Sequence, residues 1–154
     1  MVRIPKIALL AAGVLVIASA CGTATNSTTT AAPASAAPVT TAQAATKSTC
    51  EALGQAYGKN MAPFAEALTK YVADRKTIAT AQSSLAAFAT AVQEATATSK
   101  DAQIKADGKQ AADKMHAKST DAKFFSAIKT SKDVDKTLGP TMSDWLSPVQ
   151  RHCS

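Results

Sequence analysis

Between Cys50 and Tyr71 the apolar positions Cys50, Leu53, Tyr57, Met61, Phe64, Leu68 and Tyr71 recur at intervals of three and four. That interval lines up one face of a helix and predicts one over about 49 to 73. Ser48 with Glu51 forms a capping box to open it, and Pro63 should kink or divide it. A second stripe, Ile78, Ala81, Leu85, Phe88, Val92 and Ala95, predicts a helix over about 77 to 97. A third helix, about 100 to 118, offers only Ile104, Ala111 and Met115 among many charges, with Gly108 in its middle. Packing rather than propensity would have to hold it, which makes it the weakest element. After Asp121, an N-cap residue, Phe124, Ile128, Val134, Leu138, Met142, Trp145, Val149 and Cys153 fall on one line, with Ser131 at the one polar turn. A stripe that keeps phase across Gly139-Pro140 predicts consecutive helical segments on a shared axis, kinked at Pro140 and Pro148.

These patterns place residues 48–154 in the all-α class, with sparse Gly and Pro and no alternating β-branched run. Four helices with short connections predict an antiparallel up-down-up-down four-helix bundle. An even number of passes returns the C-terminus to the end where the chain entered, which brings Cys153 towards Cys50.

Ahead of this domain the pattern changes twice. Arg3 and Lys6 precede an uncharged apolar run from Ile7 to Ala20 whose one hydroxyl is Ser19, and this reads as the signal peptide, residues 1–20. The run is too short for a spanning helix, which needs roughly 20 apolar residues. It closes on Ile17-Ala18-Ser19-Ala20-Cys21-Gly22, which resembles the lipobox of bacterial lipoproteins. The resemblance implies a diacylglyceryl group on the Cys21 thiol and cleavage between Ala20 and Cys21. Ala18 stands where that family usually has leucine. The triplet Ala18-Ser19-Ala20 also fits an ordinary secretory cleavage site, which would cut the same bond and release a secreted protein.

Cysteine parity favours the lipid. The chain has three cysteines, Cys21, Cys50 and Cys153, and an exported protein tends not to leave one reactive thiol unpaired. Lipidating Cys21 leaves Cys50 and Cys153 to form a disulfide around nearly the whole domain. Between them and the leader, residues 21–47 are almost entirely Ala, Thr, Ser and Pro, with no charge before Lys47. Such a stretch cannot bury enough apolar surface to offset its ordering entropy, so a disordered stalk is expected. The sequence is also similar to small helical lipoproteins of actinobacteria, a likeness that implies sugars on stalk threonines.

Candidate chemistry is thin. Helical bundles that hold iron or manganese use Glu-x-x-His pairs, whereas Glu51, Glu66 and Glu94 are followed at that spacing by Gly54, Thr69 and Ala97. Asp113 and His116 share a helix face, but two ligands do not make a metal site. Met61 and His152 lie at different levels for haem ligation. His152 adjoins Cys153, yet neighbours in a helix diverge by about 100° and do not face each other. Neither a cofactor nor a catalytic role follows, and the chain reads as a non-enzyme.

Net charge is +6, or +4 once Arg3 and Lys6 leave with the leader. From Lys100 to Lys136 nine lysines stand against six aspartates. Interleaved in this way they read chiefly as a solvated surface, with contact to anionic headgroups or cell-wall polymer as the functional possibility. Nucleic acid is a poor partner outside the cell. Phe124-Phe125 and Trp145-Leu146 cannot each turn both side chains inward, so these four are expected to mark a partly exposed apolar groove. Two functions remain. One is a membrane-anchored, non-catalytic interaction or structural lipoprotein on the outer face of the cell membrane, with an envelope protein or cell-wall polymer as partner. The other is a small apolar-ligand or lipid-binding bundle, for which a contiguous internal cavity of about 300 Å³ or more would speak.

Overall fold

A computed structural model describes residues 41–154. The expected signal peptide, the lipidation site at Cys21 and the stalk through residue 40 lie outside the described residues. All secondary structure within them is helical, so the all-α class expected from the sequence holds. The helices are α1 (Thr41–Ala73), α2 (Ile78–Ala97), α3 (Ala102–Ser119), α4 (Ala122–Ala127), α5 (Ser131–Lys136) and α6 (Met142–Gln150). A 3-10 turn, Arg75–Thr77, leads into α2, a π turn, Thr137–Thr141, joins α5 to α6, and a 3-10 turn, Arg151–Cys153, closes the chain.

Helix α1 starts at Thr41 rather than at Ser48, so the expected capping box lies inside it and the last residues assigned to the stalk are helical. Alanine is the best helix former, and adding residues to an existing helix is far easier than nucleating one. Ala42, Ala44 and Ala45 therefore extend α1 backwards. Pro63 sits inside α1 without dividing it, and α6 likewise runs through Pro148. Each proline gives up one amide-to-carbonyl bond and its ring crowds the carbonyl four residues back, yet the helix continues past both.

Short polar caps start the later helices. The Asp101 carboxylate accepts from the backbone N–H groups of Gln103 at 2.7 Å and Ile104 at 3.2 Å, which opens α3. Asp121 does the same for α4 through Lys123 and Phe124. A reciprocal capping box, Thr130 with Asp133, opens α5. Each satisfies amides that a helix start leaves without an intrahelical partner.

The core is continuous. Phe64 and Leu68 of α1, Leu85, Phe88 and Val92 of α2, Ile104 and Met115 of α3, and Phe125, Met142 and Val149 further on are all buried. The widest interfaces join α2 to α3 and α1 to α2, and α3 also packs on α6. Helix α3 is thus not the loose element its charge suggested, because Ile104, Gly108, Ala111, Ala112 and Met115 put a buried face of mostly small residues against α2. Gly108 is what allows the close approach. A Cβ there would lie 2.6 Å from Thr96 Cγ2 and closer still to its hydroxyl oxygen.

The last third of the chain departs from the single predicted line. Its buried residues are Phe125 and Ile128, then Val134, Thr137, Met142, Leu146 and Val149. The step from Thr137 to Met142 is five residues and falls on the π turn. There the Met142 amide bonds Thr137 O, and the ring of Pro140 occupies a turn wider than an α-helix offers. That widening shifts the inward face by one residue, so Thr137 is buried and Leu138 only half-buried.

Candidate functional site

At one end of the helical domain Cys50 of α1 and Cys153 of the C-terminal turn are joined, with the sulfurs 2.01 Å and the Cα atoms 5.5 Å apart across a separation of 103 residues. This is the pair that cysteine parity selects. Beside it His152 Nε2 lies 2.8 Å from Asp107 Oδ2, on side chains that are 27% and 15% exposed. Nε2 donates to the ionised carboxylate, whose other oxygen accepts from the Gln103 amide at 3.0 Å. The His152 hydrogen bond holds the Asp107 carboxyl below the usual aspartate range, against an opposing push from burial and with further help from Gln103. The disulfide and this pair together tie the C-terminus to both α1 and α3.

Between α1, α2 and α6, directly against the bridge, lies a cleft of about 240 Å³. Its walls are Leu53, Tyr57, Phe88, Val92, Leu146 and the two cysteines, with Gly54 and Gln150 beside them. Tyr57 meets Phe88 edge-on, ring centroids 5.8 Å apart, and is itself 39% exposed, although its spacing had placed it in the core stripe. Above Gly54 a Cβ would meet nothing within 4 Å. The stripe turns Ala56 inward and leaves Tyr57 at its edge.

The opposite end is closed by aromatic and cationic contacts. Tyr71 packs edge-on against Phe125 at 6.0 Å, the Arg75 guanidinium lies 4.4 Å over the Tyr71 ring, and Arg75 Nη1 donates to the Ile128 carbonyl at 2.7 Å. Ile128 is the residue at which α4 ends in extended backbone, so Arg75 satisfies a carbonyl that the helix break leaves free.

The four residues expected to mark a groove separate into two kinds. Phe125 and Leu146 are buried in the core, whereas Phe124 and Trp145 are half-buried and lie against each other with centroids 5.7 Å apart. Lys118 approaches the Phe124 ring at 5.9 Å. One residue of each adjacent pair is thus turned inward and the other left partly exposed, and Leu146 also lines the cleft beside the bridge. Asp113 is engaged by Lys109 at 2.6 Å, and Met61 packs against the core while His152 turns to Asp107. Among the described residues no three His, Cys, Asp or Glu side chains gather as metal ligands, and no helix is long and apolar enough to cross a membrane.

No family model, curated protein or solved structure matches this chain. Sequence reasoning missed the cleft and Asp107. Gly54 and Tyr57, one and two turns beyond Cys50, were legible as helix positions; that they meet Phe88 and Gln150 depends on how three helices cross.

Proposed function

We propose that this protein is a non-catalytic interaction or structural module, exported and held on the outer face of the cell membrane by lipid on Cys21. Its partner is another envelope component, protein or cell-wall polymer. The observation that carries the non-catalytic part is the use made of the buried polar side chains. Among the described residues these are Thr49, Thr96, Ser99, Ser119 and Thr137. Four of them donate their hydroxyls to carbonyls of their own helix, at Ala45, Val92, His116 and Asp133, and Ser99 accepts from the Asp101 amide. Hydroxyls committed to nearby backbone groups are already partnered and are not poised for chemistry.

The antiparallel up-down-up-down arrangement belongs to this proposal. It is supported by pairs that join the far ends of α1 to the last segments in reverse order: Cys50 with Cys153, and Tyr71 with Phe125. Tyr57 meets Phe88 and Thr96 meets residue 108, so α1 lies beside α2 and α2 beside α3, and the short connections between them favour antiparallel neighbours. In such a bundle the helical domain is entered at its bridged end.

Cell fractionation tests the address. Wild type should sediment with membranes and take up labelled fatty acid, and Cys21→Ala should lose the label. Wild type that carries no lipid and stays in the soluble fraction would contradict the proposal in favour of secretion.

A further inference from the structure

We propose that the cleft beside the Cys50–Cys153 bridge is a binding site for one neutral, largely apolar ring, such as a substituted benzene or phenol. This goes beyond the envelope role and does not depend on the lipid anchor. Size sets the first limit: the cleft holds about 240 Å³. An apolar cavity of about 150 Å³ takes up benzene, and pockets for larger drug-sized ligands begin near 300 Å³. One ring with a small substituent falls between them, and a long acyl chain does not.

Chemistry sets the second limit. The lining is mostly carbon and disulfide sulfur, has Tyr57 and Gln150 as its polar-bearing residues, and includes no charged residue. A charged ligand would lose its water there and find no counter-charge. Tyr57 and Phe88 meet at 70°, leaving the partly exposed Tyr57 ring as a surface on which another ring can stack with an offset. Gln150, a lining residue with a side-chain amide, is within reach as a hydrogen-bonding partner for a phenolic hydroxyl. Gly54 lines the cleft and a Cβ there would meet no atom within 4 Å, so a larger side chain at this position would take up the space a ligand needs.

The test titrates the full chain in detergent solution with 4-methylphenol, benzoate and octane, and follows the methyl resonances of Leu53, Val92 and Leu146. Reading the signal at these methyls separates the site from partition into detergent. The expected result is a saturable shift with 4-methylphenol, and with benzoate or octane a response at least about tenfold weaker. Gly54→Leu should abolish the shift without lowering the thermal midpoint, because leucine favours a helix over glycine and meets open space. Tyr57→Ala, which alters a ring already partly in solvent, should weaken binding and provides the second variant if Gly54→Leu does not fold. An absence of saturable shift at these methyls, equal response to benzoate or octane, or unchanged binding in both folded variants would overturn the proposal.

Discussion

The side chain of Thr96 on α2 occupies the place where residue 108 on α3 would carry a Cβ, so the two helices meet at a contact that only glycine permits. Thr96 cannot give way easily. It is 1% exposed, and its hydroxyl donates to the Val92 carbonyl at 3.0 Å.

Gly108→Ala should therefore destabilise the domain, even though alanine is better than glycine in a helix by about 1 kcal/mol. Overpacking typically costs about 1 to 3 kcal/mol; a collision with a fixed, buried side chain belongs at the upper end, leaving a net loss of about 1 to 2 kcal/mol. Urea unfolding of the variant checks this. A more stable variant would mean that α2 and α3 are not in close contact.

Arg75 links the end of α1 to the break between α4 and α5, through the Tyr71 ring and the Ile128 carbonyl. The residue is itself exposed, so its charge is partly screened and Arg75→Ala should cost only about 1 kcal/mol. The effect should be local. Hydrogen exchange should speed up at the amides around Ile128 and leave those of α2 unchanged.

Acid should loosen the bridged end. Asp107 is held below the ordinary aspartate range, first by the hydrogen bond from His152, so its folded form binds a proton less readily than its unfolded form. The stability it contributes is present above the ordinary aspartate value and is lost as pH falls through its own lowered value. Asp107→Asn should accordingly be less stable than wild type at neutral pH, with the difference vanishing in strong acid. Asp121 and Asp133 share the direction, through Lys118 in one case and the Lys129 amide in the other, so wild type as a whole should weaken in the same acid range. A gap between wild type and Asp107→Asn that persists unchanged to low pH would contradict the pairing.

Loss of the disulfide should have the largest effect. A bridge across 103 residues restricts the unfolded chain strongly, and removing such a bridge typically costs about 2 to 5 kcal/mol. Cys153→Ser should fall in that range by thermal or urea unfolding, and a change below about 0.5 kcal/mol would show that the bridge is not formed in solution.

How far the sequence reaches can be seen at particular residues. The stripe of α2 is legible because nothing interrupts its period: Ala81, Leu85, Phe88 and Val92 are all buried, with Ile78 and Ala95 packed against the core. Asp121 is legible as a cap, since a short carboxylate before an apolar turn suits few other places. The π turn is not, because Leu138 and Met142 fit an α-helical line as well as Thr137 and Met142 fit a wide one. Nor is the role of Gly108, which looks like a weak point within its own helix and gains its use only from Thr96. The start of α1 was masked by composition, as alanines that suggest a stalk also extend a helix. In the site, Cys50 and Cys153 were open to counting, whereas the cleft depends on the crossing of three helices and left no local signal.

The central claim is that one cysteine holds lipid and the other two hold each other. Intact mass spectrometry of the exported protein, under non-reducing conditions and after alkylation of free thiols, tests it most directly. The account predicts a chain that begins at Cys21 with a diacylglyceryl group and takes up no alkylating agent. A chain with unmodified Cys21 and alkylated Cys50 and Cys153 would contradict it.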